Sequence, residues 1–307
     1  MNESSRAIAM TGASGMLGSN LLSALSSKGH RVIPLRRGTS QPEGSGVFWD
    51  PNGNGICNPQ ALDGVDTVVH LAGENIAAGR WTINKKRRIR RSRVDATGHL
   101  VRSLAQMQQP PKTFVCASAI GIYGDRGEEE LTESSEPGTG FLADVCRDWE
   151  AAAAAGEEAG MRVVRLRIGV VLSTQGGALA KMLKPFKLGL GGIVGNGKQY
   201  WSWVGLQDVV EVMQETVSNE SLRGPINVVS PNAMTNHDFT KVLGSVLRRP
   251  TIFPLPAFVA KLMLGEMADE LLLGSARVVP EALTTSGFQF QHADLETCLR
   301  HELNLSR

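Results

Sequence analysis

The sequence predicts an α/β fold, in which a doubly wound parallel sheet is accompanied by a smaller, mostly C-terminal α/β domain. An apolar run of strand length at residues 7–10 is followed by a glycine-rich turn, by leucines at helical spacing and by a second apolar run at residues 31–35. Further buried-strand patterns occur at residues 65–73, 113–118 and 163–172, with helical patterns between them. Strands that alternate with helices in this way are typical of parallel sheets covered by helices on both faces.

Three glycines, Gly12, Gly15 and Gly18, stand at three-residue spacing between the first strand and the first helix. Glycine suits such a turn because it adopts backbone conformations that other residues avoid and has no Cβ to hold a ligand away. The first turn of the following helix offers unpaired backbone N–H groups and the positive end of the helix dipole, which favour an anion. We therefore predict that this turn binds the pyrophosphate of a dinucleotide, and a glycine-rich turn without a ligand is the less favoured alternative.

The end of the second strand, at Arg36 and Arg37, indicates which dinucleotide is bound. A site for NAD requires an acidic residue there for the ribose hydroxyls, but no Asp or Glu occurs between Gly18 and Glu43. Two guanidinium groups suit the 2′-phosphate of NADP(H), because arginine donates paired, charge-assisted hydrogen bonds to a phosphate. We predict NADP(H) rather than NAD, and the alternative is that both arginines are merely solvated.

Length and composition argue against several other classes of protein. The chain has 307 residues, enough for about two domains, and its net charge of +2 does not favour nucleic-acid binding. Its four cysteines are scattered and form neither a metal-ligand pattern nor a disulfide framework. Charged residues interrupt the longest apolar stretches, and the N-terminus lacks the pattern of a secretory signal. We expect a cytoplasmic protein with no metal, nucleic-acid or membrane partner.

The predicted strand at residues 65–73 ends in small residues at 71–73, which allow a cofactor to approach the carboxyl edge of the sheet. The segment that follows is strongly basic, with seven Lys or Arg from Lys85 to Arg93. A run of this kind is usually a solvated helix face. We expect most of these side chains to face water and either Arg80 or Arg93 to point back toward the ligand.

The glycine spacing, with Thr11 in front, resembles that of the extended branch of the short-chain dehydrogenase/reductase superfamily. The resemblance implies a Rossmann fold, and it continues at the end of the strand at residues 113–118, where Ser118 is followed by Tyr123 and Gly124. In extended reductases this Ser orients the substrate hydroxyl or carbonyl, and a Tyr-Gly pair follows in the substrate loop. The resemblance therefore implies that Ser118 and Tyr123 are catalytic residues that hold the substrate oxygen.

The catalytic pair of that superfamily differs in this chain. Its members use a Tyr as general acid/base and a Lys one helical turn later, which lowers the pKa of the Tyr and holds the ribose. If Glu150 corresponds to the Glu usual in that helix, Leu142 takes the Tyr position and Cys146 the Lys position. The chain has two tyrosines, Tyr123 and Tyr200, and neither has a Lys four residues later. We therefore expect the usual pair to be missing.

A substitute proton donor is then needed, and Tyr123, Glu74 and Asp144 are the candidates. We favour Tyr123 for its place in the substrate loop. We interpret Asp144 as a residue on a helix surface. We interpret Glu74 as a residue that hydrogen-bonds the cofactor ribose or a backbone N–H. The residues expected to bind the cofactor are Gly12, Ser14, Gly15, Met16, Leu17, Gly18, Arg36, Arg37, Leu71, Ala72, Gly73, Glu74, Arg93 and Ser118.

Three motifs add a more specific resemblance: Gly-Arg-Trp-Thr at residues 79–82, Ser-Arg at 92–93 and Phe-Leu-Ala…Cys-Arg-Asp-Trp-Glu at 141–150. They resemble the atypical reductase group named the epimerase family proteins, over nearly the whole chain. Members of that group are often described as sugar-nucleotide epimerases or as relatives of a cell-division inhibitor. The resemblance implies an oxidoreductase or epimerase with an NADP(H) cofactor and a small or nucleotide-linked substrate.

Two questions of organisation and function stay open at this point. The expected domains are an NADP-binding Rossmann domain at 1–178, to which 205–230 return, and a substrate domain at 179–204 and 231–307. A non-catalytic NADP(H)-binding sensor or interaction protein is the alternative function, and the missing Tyr and Lys favour it. A homodimer is expected only by analogy with extended reductases, which often pair through two helices.

Overall fold

The computed structural model describes residues 5–40, 46–53 and 55–305. Residues 1 and 307, the outer limits of the predicted domains, lie outside the described residues. The strands are β1 Ala7–Thr11, β2 Arg31–Arg37, β3 Phe48–Asp50, β4 Gly55–Ile56, β5 Thr67–His70, β6 Thr113–Ala119, β7 Glu130–Leu131, β8 Arg162–Ile168, β9 Val170–Leu172, β10 Tyr200–Trp201, β11 Trp203–Gly205, β12 Gly224–Val228, β13 Met234–Thr235 and β14 Arg277–Val278. The helices are α1 Met16–Ser27, α2 Ile83–Arg91, α3 Val94–Ala105, α4 Phe141–Ala154, α5 Gly177–Lys187, α6 Leu206–Ser218, α7 Asn236–Leu247, α8 Ala257–Leu264, α9 Glu266–Ala268, α10 Glu281–Thr285 and α11 Leu295–Glu302.

Eight strands form one central sheet in the order β12-β8-β6-β5-β1-β2-β3-β4. Neighbouring strands are parallel except for β3 and β4, which pair antiparallel. The chain runs outward from β1 through β2 to β3 and then returns to the other side of β1 with β5. The predicted doubly wound sheet is confirmed, and its switch point lies between the carboxyl ends of β1 and β5, where such sheets bind ligands.

Both faces of the sheet are buried, because successive side chains of a strand point to opposite faces. On β1, Ile8 and Met10 pack into a core shared with α1 and α6, whereas Ala9 belongs to a second core shared with α3 and α4. On β8, Leu166 packs into the first core and Val163 into the second. This two-sided burial explains why the strands are nearly continuous apolar runs in the sequence.

A third core lies among the segments expected to form the smaller domain. Leu179 and Leu183 of α5 pack there with Phe239 and Leu243 of α7 and with Leu299 of α11. Between these segments the chain returns to the central sheet, where β12 pairs with β8. The limits assigned to the two domains stay a prediction.

The helices are short in comparison with the thickness of a bilayer. The longest, α4, has 14 residues, whereas a membrane-spanning helix needs about 20. Across the described ranges, no helix has the length and apolar character needed to cross a membrane.

Candidate functional site

The glycine turn joins β1 to α1 at the switch point of the sheet. Gly12 has a φ of 72°, in the left-handed region, and a Cβ there would stand 2.8 Å from the backbone N of Ala72. A Cβ on Gly18 would overlap the carbonyl oxygen of Gly12. The turn therefore packs backbone against backbone on the end of β5, and neither position has room for a side chain.

The first turn of α1 begins at Met16, and no side chain of the described residues caps it. Ser14 and Gly15 are exposed, and Leu17 is partly buried at the start of the helix. The Sδ atom of Met16 lies 3.4 Å from the position of a Cβ on Gly176, so the loop after β9 borders the turn. The predicted turn residues thus lie together, and the first helix amides are open to an anionic ligand.

Arg36 and Arg37 end β2, which pairs with β1, so both residues lie at the sheet edge that carries the glycine turn. β3 covers this end of β2, with Phe48 opposite Arg36 and Trp49 opposite Arg37. Both arginine side chains are exposed. Because neighbouring strand residues point to opposite faces, the two guanidinium groups leave β2 in different directions, and each has to be tested separately.

The end of β5 is tied to β1 by side-chain hydrogen bonds. His70 Nδ1 lies 2.7 Å from Thr11 Oγ1, which also accepts a hydrogen bond from the backbone N of Ala72 at 3.3 Å. His70 is fully buried, and this burial lowers its pKa to about 3, so the ring is neutral at ordinary pH. Leu71 and Ala72 are partly buried and Gly73 is exposed. These three residues form a rim beside the glycine turn, at the switch point where we expect the ligand crevice.

Glu74 lies at the same rim, but its carboxylate is paired with α2. Its Oε1 accepts hydrogen bonds from Lys85 Nζ at 2.7 Å and from Arg88 Nε at 3.4 Å. The hydrogen bond from Lys85 lowers the pKa of Glu74 and outweighs the opposing effect of partial burial. Glu74 is therefore ionised at neutral pH, which does not support a role as proton donor.

Lys85 departs from the expectation of a solvated basic face, because its side chain is buried beneath the rim. Besides Glu74 it binds the backbone oxygen of Asn75, at 2.6 Å. A sequence signal for this burial was present, since Lys85 stands four residues before the apolar Ile89, and Ile89 is also buried on α2.

Of the two arginines considered for the ligand, Arg93 lies beside the end of β5. Its guanidinium carbon lies 3.5 Å from the position of a Cβ on Gly73 and 5.2 Å from the ring centroid of Trp149. Its Nη1 donates a hydrogen bond to the backbone oxygen of Glu74 at 3.0 Å. Arg80 is exposed and donates to a backbone oxygen of α8 at 3.1 Å instead.

Ser118, near the end of β6, does not face the crevice. Its side chain is buried, and its hydroxyl donates a hydrogen bond to Glu150 Oε1 at 2.7 Å. The partly buried Ala117 and Ala119 occupy the other face of the strand. The hydroxyl is thus used inside the protein, which does not support the expectation that Ser118 holds the substrate oxygen or the cofactor, and that expectation stays a prediction.

Tyr123 also has its hydroxyl bound inside the protein. Its side chain is fully buried, and its hydroxyl lies 2.7 Å from Asn227 Oδ1 and accepts a hydrogen bond from Arg167 Nη1 at 2.8 Å. Burial raises the pKa of Tyr123, although the charge of Arg167 opposes the rise. This geometry favours an internal role for the Tyr123 hydroxyl, and its role as proton donor stays a prediction. Asp144, the third candidate, is exposed on α4 and pairs with Arg147.

The partners of these hydroxyls, Glu150 and Arg167, were not predicted as an ion pair from the sequence. Their charged groups lie 2.9 Å apart, and their side chains are 6% and 8% exposed respectively. The available signal was Arg167 itself, a charged residue within the apolar run of β8. A buried cation is tolerated only beside a buried anion, so an acidic partner had to exist.

Leu142 and Cys146, at the expected Tyr and Lys positions, lie on α4 against the loop after β6. Leu142 Cβ lies 3.3 Å and Cys146 Sγ 3.9 Å from the position of a Cβ on Gly121. Both side chains are buried. Burial raises the pKa of the Cys146 thiol to about 12, although the charge of Arg93 opposes the rise. Neither side chain carries a charge or an exchangeable proton that ionises near neutral pH.

Comparison with protein-family models agrees with this architecture. The model described as the NAD dependent epimerase/dehydratase family matches residues 8–229, which include the central sheet from β1 to β12. A domain of unknown function, DUF1731, matches residues 255–302.

The epimerase family protein ML0860 of Mycobacterium leprae is 40% identical over 294 residues, which cover 96% of this chain and 94% of that protein. The epimerase family protein YfhF of Bacillus subtilis is 37% identical over 296 residues, covering 95% and 96%.

Two solved structures resemble the chain over nearly its full length. The crystal structure of human epimerase family protein SDR39U1 (isoform 2) with NADPH matches with a TM-score of 0.85 and 29% identity, covering 97% of this chain and 100% of that chain. The nucleoside-diphosphate sugar epimerase from Corynebacterium glutamicum matches with a TM-score of 0.80 and 36% identity, covering 98% of this chain and 58% of that one. By its sequence and its fold, this chain belongs to the NAD dependent epimerase/dehydratase family.

Proposed function

We propose that this protein binds NADP(H) and acts as an oxidoreductase or epimerase on a small or nucleotide-linked substrate. The observation that carries the proposal is the glycine turn at the switch point. A Cβ on Gly12 or Gly18 would collide with backbone atoms, and the uncapped start of α1 is open to a pyrophosphate. The human relative whose structure was determined with NADPH supports the choice of cofactor.

The residues at the carboxyl edge of the sheet fit the parts of such a cofactor. The amides of Met16 and Leu17 would bind the pyrophosphate, and Arg36 or Arg37 the 2′-phosphate. The rim at residues 71–73 ends in Ala72 and Gly73, which have no bulky side chain. This end of the rim would border the nicotinamide half of the cofactor. When bound, the nicotinamide supplies or accepts the hydride, whereas the protein contributes binding and orientation.

A nucleotide-linked sugar is the substrate class that the relatives favour, since the Corynebacterium protein is described as a nucleoside-diphosphate sugar epimerase. Helix α5 would supply a second wall for such a substrate. Lys181 of α5 donates a hydrogen bond to the backbone oxygen of Ala77 at 2.9 Å, so α5 borders the segment that follows the rim. A substrate would therefore lie between the sheet edge and the helices of the C-terminal half.

A non-catalytic NADP(H)-binding sensor or interaction protein is the second candidate. Leu142 and Cys146 favour it, because an apolar side chain and an un-ionised thiol stand at the positions where we expect the Tyr and Lys of the superfamily. The buried hydroxyl of Tyr123 also favours it. In both candidates the glycine turn and the arginines of β2 have the same role.

The first test is a titration of cofactor-stripped protein with NADPH and with NADH, followed by fluorescence or calorimetry. We expect about micromolar binding of NADPH and binding of NADH that is weaker by about tenfold or more. Binding of neither nucleotide would contradict the proposal. Two readouts then separate the two candidates: consumption of NADPH with a panel of aldehydes and quinones, and conversion of sugar nucleotides to their epimers, which consumes no net cofactor. Either change requires an enzyme.

A further inference from the structure

Arg93 presents a guanidinium group with unused donors to the crevice. Its hydrogen bonds all involve Nη1, which donates to the backbone oxygen of Glu74 at 3.0 Å and makes longer contacts of 3.4 Å with Ile89 O and Ser92 Oγ. Within the part of the chain that the structure describes, Nε and Nη2 have no hydrogen-bond partner. A partly buried cation with unpaired N–H groups is unfavourable unless a ligand or water satisfies them.

The guanidinium group is held in one place by packing on two sides. On one side its Cζ, Nη1 and Nη2 atoms lie 3.5 to 3.6 Å from the position of a Cβ on Gly73, just after the carboxyl end of β5. On the other side the guanidinium carbon lies 5.2 Å from the ring centroid of Trp149, within cation–π distance. Gly73 is exposed, so the free edge of the guanidinium lies beside the rim that borders the proposed cofactor.

The Arg93 guanidinium group also interacts electrostatically with a side chain of α4. The charge of Arg93 acts on the thiol of Cys146, and the pKa of Arg93 is lowered by burial while Cys146 and Glu74 oppose this. Cys146 is the residue at the expected Lys position, and it is an un-ionised thiol. Arg93, the residue before α3, is therefore a cation close to a position at which α4 itself supplies none.

We propose that Arg93 binds the vicinal hydroxyls of the cofactor ribose next to the nicotinamide, in place of the missing lysine. The two unused nitrogens form a fork that matches two adjacent oxygen acceptors. A rigid fork beside Gly73 would also fix the orientation of the nicotinamide ring, which makes Arg93 a positioning residue for the reaction. This inference rests on the proposed binding of NADP(H).

Two ligands separate the ribose role from a general effect on the fold. NADPH contains the nicotinamide ribose, whereas adenosine 2′,5′-bisphosphate contains only the 2′-phosphorylated adenosine end. We expect Arg93→Ala to weaken NADPH binding by about ten- to a hundredfold, because two charge-assisted hydrogen bonds are lost, and to leave the affinity for the bisphosphate unchanged. Arg93→Lys keeps the charge but loses the fork, so its NADPH affinity should lie between those of Arg93→Ala and the wild type.

Arg91→Ala is the matched control, since Arg91 is an exposed arginine two residues away and should leave both affinities unchanged. If Arg93→Ala and Arg93→Lys bind NADPH as the wild type does, or if they lose affinity for both ligands equally, the ribose assignment is wrong. If Arg93→Ala does not fold, the affinities of Arg93→Lys and of the wild type for NADPH and for the bisphosphate are compared instead. A loss of affinity for NADPH alone supports the ribose assignment, and any other result contradicts it. Failure of the wild type to bind NADPH would instead overturn the proposed function, and this inference with it.

Discussion

Glu150 and Arg167 form a two-point ion pair, with Oε1 2.9 Å from Nε and Oε2 2.9 Å from Nη2. Ser118 donates a hydrogen bond to Glu150, and Arg167 donates one to Tyr123. Burial alone would lower the pKa of Arg167, but the hydrogen bonds and charge of Glu150 raise it. This pair joins β6, β8 and α4 beneath the crevice, and it accounts for the inward orientation of both hydroxyls that were predicted to be catalytic.

Removal of one member of this pair tests its contribution to stability. Glu150→Ala leaves the charge of Arg167 buried without its partner, and we expect the free energy of unfolding to fall by about 3–5 kcal/mol. The measurement is urea denaturation of both proteins. Asp144→Ala is the control, because its ion pair with Arg147 is exposed and should contribute no more than about 1 kcal/mol. Equal losses for the two variants would mean that the buried pair has no special role.

Tyr123→Phe separates a structural hydroxyl from a catalytic one. The change removes the hydrogen-bond partner of Asn227 Oδ1 and one of the two acceptors of Arg167 Nη1, which keeps the backbone oxygen of Glu133 at 3.1 Å. We therefore expect the free energy of unfolding to fall by about 1–3 kcal/mol. Affinity for NADPH should be unchanged, because the hydroxyl lies inside the protein. A variant that kept its stability but lost turnover of an identified substrate would restore Tyr123 as a catalytic residue.

Gly18→Ala tests the glycine turn. The added Cβ would overlap the carbonyl oxygen of Gly12, so the turn must shift and NADPH affinity should fall by about tenfold or more. Gly98→Ala in α3 is the matched control, because its Cβ would meet only the movable end of Arg102, at 3.3 Å. Calorimetric titration of both variants provides the comparison, and wild-type affinity in Gly18→Ala would argue against pyrophosphate binding at this turn.

Arg36→Ala and Arg37→Ala test the choice between NADP(H) and NAD. Each charge-assisted hydrogen bond to a 2′-phosphate contributes about 1.5–3 kcal/mol, so the double variant should bind NADPH about tenfold or more weakly and NADH almost as before. Because the two side chains leave β2 on opposite faces, we expect one single variant to account for most of the loss. Arg31→Ala, at the other end of β2, should have no effect. An equal loss for NADPH and NADH would refute the 2′-phosphate assignment.

His70 should make the stability of the protein depend on pH. Its pKa is about 3 in the folded protein and about 6.5 when unfolded, so the unfolded chain takes up the proton first as the pH falls. The stability that follows from this difference is fully present above about pH 6.5 and is lost as the pH falls toward 3, at up to about 1.4 kcal/mol per pH unit.

His70→Gln removes this titration and should reduce the slope of unfolding free energy against pH between about pH 6 and about pH 4. Urea denaturation of the wild type and the variant at several pH values measures both slopes. Parallel slopes for the two proteins would show that His70 does not titrate as a buried, neutral ring.

The sequence by itself determined the sheet, the glycine turn and the family, because their signals are local. Strand runs, the spacing from Gly12 to Gly18 and the arginines that end β2 each lie within about one supersecondary unit. Their geometry follows from backbone chemistry, so the turn in the structure is where the pattern predicted it.

Only the tertiary structure decided which polar side chains face the crevice. Ser118 meets Glu150 across 32 positions of the chain, and Tyr123 meets Asn227 across 104. No local pattern encodes such partners, and a buried hydroxyl goes wherever a partner satisfies it. The position of Arg93 has the same cause. Its neighbours Gly73 and Trp149 come from the segment after β5 and from α4, and their packing, not the basic run around Arg93, places its guanidinium group.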